Sequence, residues 1–86
     1  MFYKVKEVKP LENYKLLVCF FDGDERVYDV SQLFDKILPF NSLELIPGLF
    51  EYVQVDAGGY GVSWNDELDL SCNELYFNSV SVISVN

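Results

Sequence analysis

The chain carries no histidine among its 86 residues. With histidine go the commonest general base, the usual activator of a Ser or Cys nucleophile, and the commonest transition-metal ligand. What remains capable of chemistry is two thiols, Cys19 and Cys72, and 14 carboxylates. Structural zinc sites use cysteines in closely spaced pairs, and these two lie far apart. Two acidic stretches, Asp22-Gly23-Asp24-Glu25 and Asp66-Glu67-Leu68-Asp69, invite a calcium reading. Neither has the ligand spacing around a central glycine that an EF-hand loop requires. The run Gly58-Gly59-Tyr60-Gly61 could cradle a phosphate only between a strand and a substantial helix. A strand ending at Trp64 follows it instead, with no lysine nearby, so a glycine turn is expected. Carboxylate pairs for acid–base work arise by chance at this density of Asp and Glu. The expectation is a protein without catalytic residues, cofactor or metal.

The elements that would position any site read as short strands joined by turns. Tyr3–Pro10 is predicted as an edge strand, blunted by its lysines and closed by Pro10. Lys15–Phe21, apolar on both faces, belongs in the middle of a sheet. Asp22-Gly23 turns it into Glu25–Val30, which alternates Arg26, Tyr28 and Val30 against Val27. Cys19, inside the apolar run, reads as a small core hydrophobe. Ser31 is placed to cap a helical turn through Lys36, and Pro39 to stop it. Phe40–Ile46 reads as irregular, and Pro47–Tyr52 as a short helix begun by its proline. Tyr52–Asp56 and Tyr60–Trp64 pair around Ala57-Gly58-Gly59, and Asn65-Asp66 turns again. Ser71-Cys72-Asn73-Glu74 fits a capping box opening a helical turn to about Phe77. The uncharged tail Ser79–Val85 reads as a strand, paired within its own sheet or onto a second copy. The fold expected is α+β: a small, mainly antiparallel sheet built on hairpins, with two or three short helical turns. One domain fills residues 1–86.

Composition points to binding rather than catalysis. Half the residues are hydrophobic and 16% are aromatic, which argues against disorder and for rings at an interface. Lys4, Lys6, Lys9 and Lys15 against Glu7 and Glu12 make the first fifteen residues +2, leaving −10 of the −8 total to the rest. Phosphate backbones are repelled by such a surface, so no direct nucleic-acid binding is expected. No apolar run approaches the roughly 20 residues of a membrane span, and no leader-like stretch opens the chain. Two cysteines do not make a disulfide framework, and a reducing cytoplasm is expected.

The order of features resembles a known family. Val5-x-x-Val8-x-Pro10 is followed by Leu16-x-Val18-x-Phe20-x-Asp22-Gly23, then Tyr28-Asp29-Val30 with Leu33. Phe50, Val55-Asp56, Gly61-Val62-x-Trp64-Asn65, Asp69-Leu70-Ser71 and Leu75-Tyr76 complete the series. Over residues 4–77 this is similar to the bacterial domain of unknown function 2442, leaving 78–86 as a strand-like tail. The resemblance implies a small cytoplasmic α+β domain without enzymatic activity, some members being antitoxin-like partners of small proteins and some joined to a helix-turn-helix. This chain has no room for such a DNA-binding helix pair. The function expected is a non-enzymatic protein-binding module, either an antitoxin-like or regulatory partner of a small basic protein encoded nearby, or a homodimer. The alternative is a ligand-binding or enzymatic domain using an acidic cleft. The candidate interface residues are Trp64, Tyr60, Val82 and Ile83.

Overall fold

The computed structural model describes residues 1–82. Two antiparallel sheets share one hydrophobic core. In the first, strands β1 (Val5–Leu11), β2 (Lys15–Phe20), β3 (Glu25–Asp29) and β7 (Val80–Ser81) lie in that order. In the second, β4 (Gln54–Val55), β5 (Gly61–Ser63) and β6 (Asp69–Ser71) form a small meander. The α+β architecture read from the sequence is the one observed.

The first hairpin forms where the turn pair placed it. Cys19 faces Glu25 and Leu17 faces Val27 across β2 and β3. Between them Phe21, Asp22 and Gly23 make a three-residue loop, in which Gly23 takes φ of 92° and its N–H donates to the Phe20 carbonyl at 3.0 Å. That geometry is a turn followed by a left-handed residue, which glycine adopts without a Cβ penalty. Asp22 Oδ1 accepts the Asp24 N–H at 2.9 Å and braces the loop. Strand β1 is the edge expected, and its register slips by one residue at Lys6, between the Val5–Phe20 and Glu7–Cys19 pairs. Such a bulge twists an edge away from further pairing.

Strand alternation decides which residues enter the core. Leu16, Val18 and Phe20 point inward and are buried, while Lys15, Leu17 and Cys19 occupy the opposite, half-covered face. Cys19 is therefore not a core residue: the period of two places it beside Leu17, away from the core face. Cys72, at 1% exposure, is the buried thiol. Tyr28 and Val30 continue the inward face of β3, and Val62, Trp64, Leu68 and Leu70 bring in the second sheet.

The connection Val30–Val53 departs most from its reading. Asp29, not Ser31, caps the first 3-10 turn: its Oδ1 accepts the Ser31 N–H at 3.0 Å and the Ser31 hydroxyl at 2.6 Å. A carboxylate at the last strand position reaches both donors, so the cap lies two residues earlier than Ser31. Pro39 does not stop helical structure but sits inside a new 3-10 turn, Leu38–Asn41, as a residue with φ pre-set for a first turn. Phe40–Ile46 is accordingly not irregular. It runs on into α1 (Ser42–Leu45), tying Phe40 and Leu43 into the core. Pro47 precedes its turn instead of opening it, and Gly48, at φ of 82°, starts the 3-10 turn Leu49–Tyr52.

Strand β6 is an element the sequence reading lacks. Three residues with alternating polarity, following a turn in which Asn65 Oδ1 accepts the N–H groups of Glu67 and Leu68, carry too little periodicity to announce it. Helix α2 (Cys72–Phe77) begins as expected, with Ser71 Oγ accepting the Glu74 N–H at 3.1 Å. The reciprocal half of the capping box is not made. Glu74 turns its carboxylate to the Tyr28 hydroxyl at 2.8 Å and to Asn78 Nδ2 at 2.8 Å. The tail pairs within its own sheet, Val80 opposite Val27 and Ser81 opposite Arg26. The expected continuation to Val85, and Ile83 with it, lies outside the described residues.

Candidate functional site

A cluster of aromatic side chains is built where the first residues meet α2. Asn73 holds the opening residues: its Oδ1 accepts the Tyr3 N–H at 3.2 Å and its Nδ2 donates to the Met1 carbonyl at 3.0 Å. Successive residues of an extended segment point in opposite directions. Phe2 therefore reaches Tyr60 edge-on, with ring centroids 5.3 Å apart, while Tyr3 lies flat on Tyr76 at 3.8 Å. Around that stacked pair, Phe20 and Phe77 present their edges to Tyr76 at 5.0 and 5.5 Å, and Phe77 also meets Tyr3 at 5.4 Å. Offset-stacked and edge-on contacts are the favourable arrangements of aromatic quadrupoles.

Charged groups frame the rings. The Arg26 guanidinium lies 4.9 Å from the Tyr76 ring centroid and is fixed by three bonds. Its Nε donates to Ser79 Oγ at 2.7 Å, Nη2 to the Ser79 carbonyl at 3.0 Å, and Nη1 to Asp24 Oδ2 at 3.1 Å. Lys4 Nζ sits 4.9 Å from the centroid of Tyr60. Burial, and then the nearby carboxylates of Asp22 and Asp24, push the Tyr76 phenol above its ordinary value, so it stays neutral.

The outer members of this group are open to solvent. Phe2 is 63%, Phe21 66%, Phe77 63% and Tyr60 48% exposed, well above what a satisfied core aromatic shows. Phe2 and Phe21, with Tyr3, Lys4, Phe20 and Asp22, line an open groove of about 450 Å³. The Phe21 N–H donates to the Lys4 carbonyl at 3.0 Å, which locks the hairpin loop against the opening strand and sets the width of this groove.

A second, more polar groove of about 290 Å³ lies across the molecule's connection segment, with Glu12, Glu44 and Glu51 at its rim and Ile46 and Phe50 in its wall. Asn13 and Tyr14, both at φ of 60°, turn the backbone along its edge. Leu38 and Leu45 are each 74% exposed on the same connection.

Of the sequence-derived interface candidates, Tyr60, Trp64 and Val82 do not form one surface, and Ile83 lies outside the described residues. Tyr60 is on the aromatic face. Trp64 is 5% exposed in the core of the single chain, its Nε1 donating to the Phe50 carbonyl at 2.9 Å, with Phe50 stacked on it and Phe40 edge-on, both at 6.1 Å. It has almost no surface left to offer a partner. Val82 is half-buried just beyond β7, at the far edge of the first sheet. Phe2, Phe21 and Phe77 are the residues sequence reasoning missed. Their signal was positional: each aromatic sits at the end of an element or beside a turn, where no strand or helix periodicity commits it to the core.

The chemistry available is limited. Among the described residues no three of His, Cys, Asp or Glu converge to hold a metal ion, and no polar or charged side chain is buried. Burial first, then the Glu25 carboxylate 3.6 Å away, raise the Cys19 thiol above its normal range and leave it a weak nucleophile. The Tyr28 phenol is raised further, by burial and by its bond to Glu74. No described helix is long and apolar enough to cross a membrane.

Neither a curated protein nor a solved structure matches the chain. The profile of a family described as a protein of unknown function, DUF2442, does match, and it spans residues 5–81, so that β7 falls within the family's pattern. The chain belongs to that family.

Proposed function

We propose that this protein is a non-enzymatic protein-binding module that engages its partner through the aromatic face. The observation that carries the reading is the exposure of Phe2, Phe21, Tyr60 and Phe77 around the chain's opening segment: Phe77 meets both rings of the Tyr3–Tyr76 stack, Phe2 meets Tyr60, and Phe2 and Phe21 line one groove with Tyr3. Aromatic residues are enriched at interface cores and dominate their binding energy. A contiguous patch of this kind on a small chain is a binding feature more often than an accident. Rigidity adds to the case, because Phe2, Tyr60 and Phe77, already held edge-to-face, lose little side-chain freedom on association.

A second reading is favoured by the acidic groove. Glu12, Glu44 and Glu51 rim it with no cation among its lining residues, which suits a small basic protein held in an antitoxin-like manner. A small-ligand or catalytic role would also have to be placed there. That role is weakened by the groove's openness and by the lack, among the described residues, of any buried polar side chain to orient a ligand. The free thiols of Cys19 and Cys72 support a reducing, cytoplasmic setting.

The test is a photo-reactive benzoylphenylalanine at Phe77, with the same group at exposed Tyr52 as control. Irradiation in the producing cell is expected to yield one discrete adduct from position 77 alone, lost when Phe2 and Phe21 are both changed to Asp. A position-77 probe that gives no adduct, or one identical to the Tyr52 pattern, overturns the proposal.

A further inference from the structure

The residues ahead of β1 are attached by different means from the strand they lead into. We infer that Met1–Lys4 is a strap that opens and closes as a unit while the rest of the fold stays intact, with Asn73 as its latch. The inference concerns this chain alone and does not depend on the protein-binding reading.

The first support is the contrast at Val5. Val5 is buried and pairs with Phe20 across the first sheet. Its carbonyl lies so close to Gly59 that a Cβ there would come within 2.6 Å. Val5 therefore cannot leave without breaking the core. Ahead of it, Met1 and Phe2 are largely exposed and Tyr3 is half-buried. Two bonds from the single Asn73 carboxamide hold this segment, at the Tyr3 N–H and at the Met1 carbonyl. The ring contacts of Tyr3 with Tyr76 and of Phe2 with Tyr60 add to them, as does the bond from the Phe21 N–H to the Lys4 carbonyl. Segments with few buried apolar contacts and solvent-exposed backbone bonds open at a lower free energy than the whole domain. Because one side chain supplies two of these bonds, its displacement releases both ends of the segment together.

The second support is what the strap builds. Of the residues lining the 450 Å³ groove, Met1, Phe2, Tyr3 and Lys4 belong to the strap, and Phe20, Phe21 and Asp22 to the first hairpin. Opening takes away more than half of that lining and lifts the Tyr3 ring from Tyr76. The groove is thus a property of the closed state, and the open state presents the uncovered Tyr76 ring instead. A ligand that prefers either state shifts the balance by its difference in affinity for the two.

The experiment is amide hydrogen exchange followed by NMR on the full chain and on Asn73→Ala. Two neighbouring amides make the comparison sharp. The Phe20 N–H donates to the Asp24 carbonyl within the hairpin, whereas the Phe21 N–H donates to Lys4 of the strap. In the parent chain, Tyr3 and Phe21 are expected to share one level of protection. That level should be at least about tenfold below Phe20 and Trp64, whose N–H donates to the Leu68 carbonyl. Low concentrations of urea should leave the first pair unchanged, since a local opening exposes little surface, and should speed the second. Asn73→Ala keeps a good helix former in α2 and is expected to speed Phe21 at least about tenfold, although Phe21 makes no bond to Asn73. Phe21 exchanging in one urea-sensitive class with Phe20 and Trp64 would overturn the strap. A Phe21 rate unmoved by Asn73→Ala would overturn the latch. Either failure leaves the position-77 crosslink to decide the protein-binding reading separately.

Discussion

Replacing Trp64 by Phe removes one hydrogen bond and a fraction of one ring, and its cost follows from the surroundings. The indole N–H donates to the Phe50 carbonyl inside the core, where water cannot substitute. Leaving that carbonyl unpaired costs about 1–3 kcal/mol. The smaller ring leaves a gap between Phe40 and Phe50, for a total of about 2–4 kcal/mol. A domain of this length is held by only about 4–13 kcal/mol, so the loss is a large share. Each kcal/mol lowers the melting temperature of so small a domain by about 4–8 °C, and a fall of at least about 8 °C is expected. Far-UV circular dichroism with urea titration is the assay, because the variant loses its tryptophan fluorescence. Trp64→Ala, which deletes the whole ring, should cost about 3–5 kcal/mol. A Trp64→Phe midpoint within about 0.5 kcal/mol of the parent would refute the role given to the indole bond. Should Trp64→Ala leave melting unchanged and abolish association instead, the residue is an interface anchor and the core assignment fails.

Three other perturbations have defined outcomes. The Tyr28 phenol is held neutral in the fold, by burial and the Glu74 bond, above its ordinary value of 10.0. Its contribution is therefore complete below pH 10 and is lost as pH rises beyond it, by about 1.4 kcal/mol per pH unit. Tyr28→Phe should lower stability at neutral pH by about 1.5–3 kcal/mol and flatten that alkaline slope, read by urea melts from pH 8 to 11. An unchanged slope would show that another group carries it. Gly59→Ala should destabilise far more than Gly23→Ala, although both have positive φ. A Cβ at Gly23 meets nothing, leaving about 1–2 kcal/mol of backbone strain, whereas at Gly59 it meets the Val5 carbonyl at 2.6 Å. Equal melting temperatures would refute that contact. Arg26→Met should release β7, seen as faster amide exchange at Val27 and Val80 with the rest of the first sheet protected, and full retention of protection would show the tail needs no guanidinium.

Residue patterns made local pairing legible and left long-range assembly dark. The β2–β3 hairpin could be read because its turn chemistry and its two β-rich runs are adjacent in the chain. The edge position of β1 was visible in its lysines, and Ser71 at the head of α2 in its hydroxyl. The connection Val30–Val53 was not, because its helical turns are too short for a period of 3.6 to emerge, and Pro39 can equally end one turn or begin the next. Glu74 shows a deeper limit. It has the right type at the right spacing for a capping box, yet a buried tyrosine 46 residues away outbids the local partner. The aromatic face was invisible for the same reason. Aromatic abundance was plain, but Phe2, Phe21, Tyr60 and Phe77 come from four separate elements that only the tertiary structure brings together.

The Tyr3–Tyr76 stack also sets a clock. The two rings are far apart in the chain, with Asn73 holding Tyr3 and Met1 from the later side. A ribosome adding about 5–20 residues per second needs about 4–15 s to get from the first ring to the second. Throughout that interval Phe2 and Tyr3 have no α2 to lie against, and Leu16 and Val18 lack Leu75. Folding of this region must therefore wait until α2 has been made. For those seconds the nascent chain exposes to cellular chaperones rings that the folded protein later holds in place.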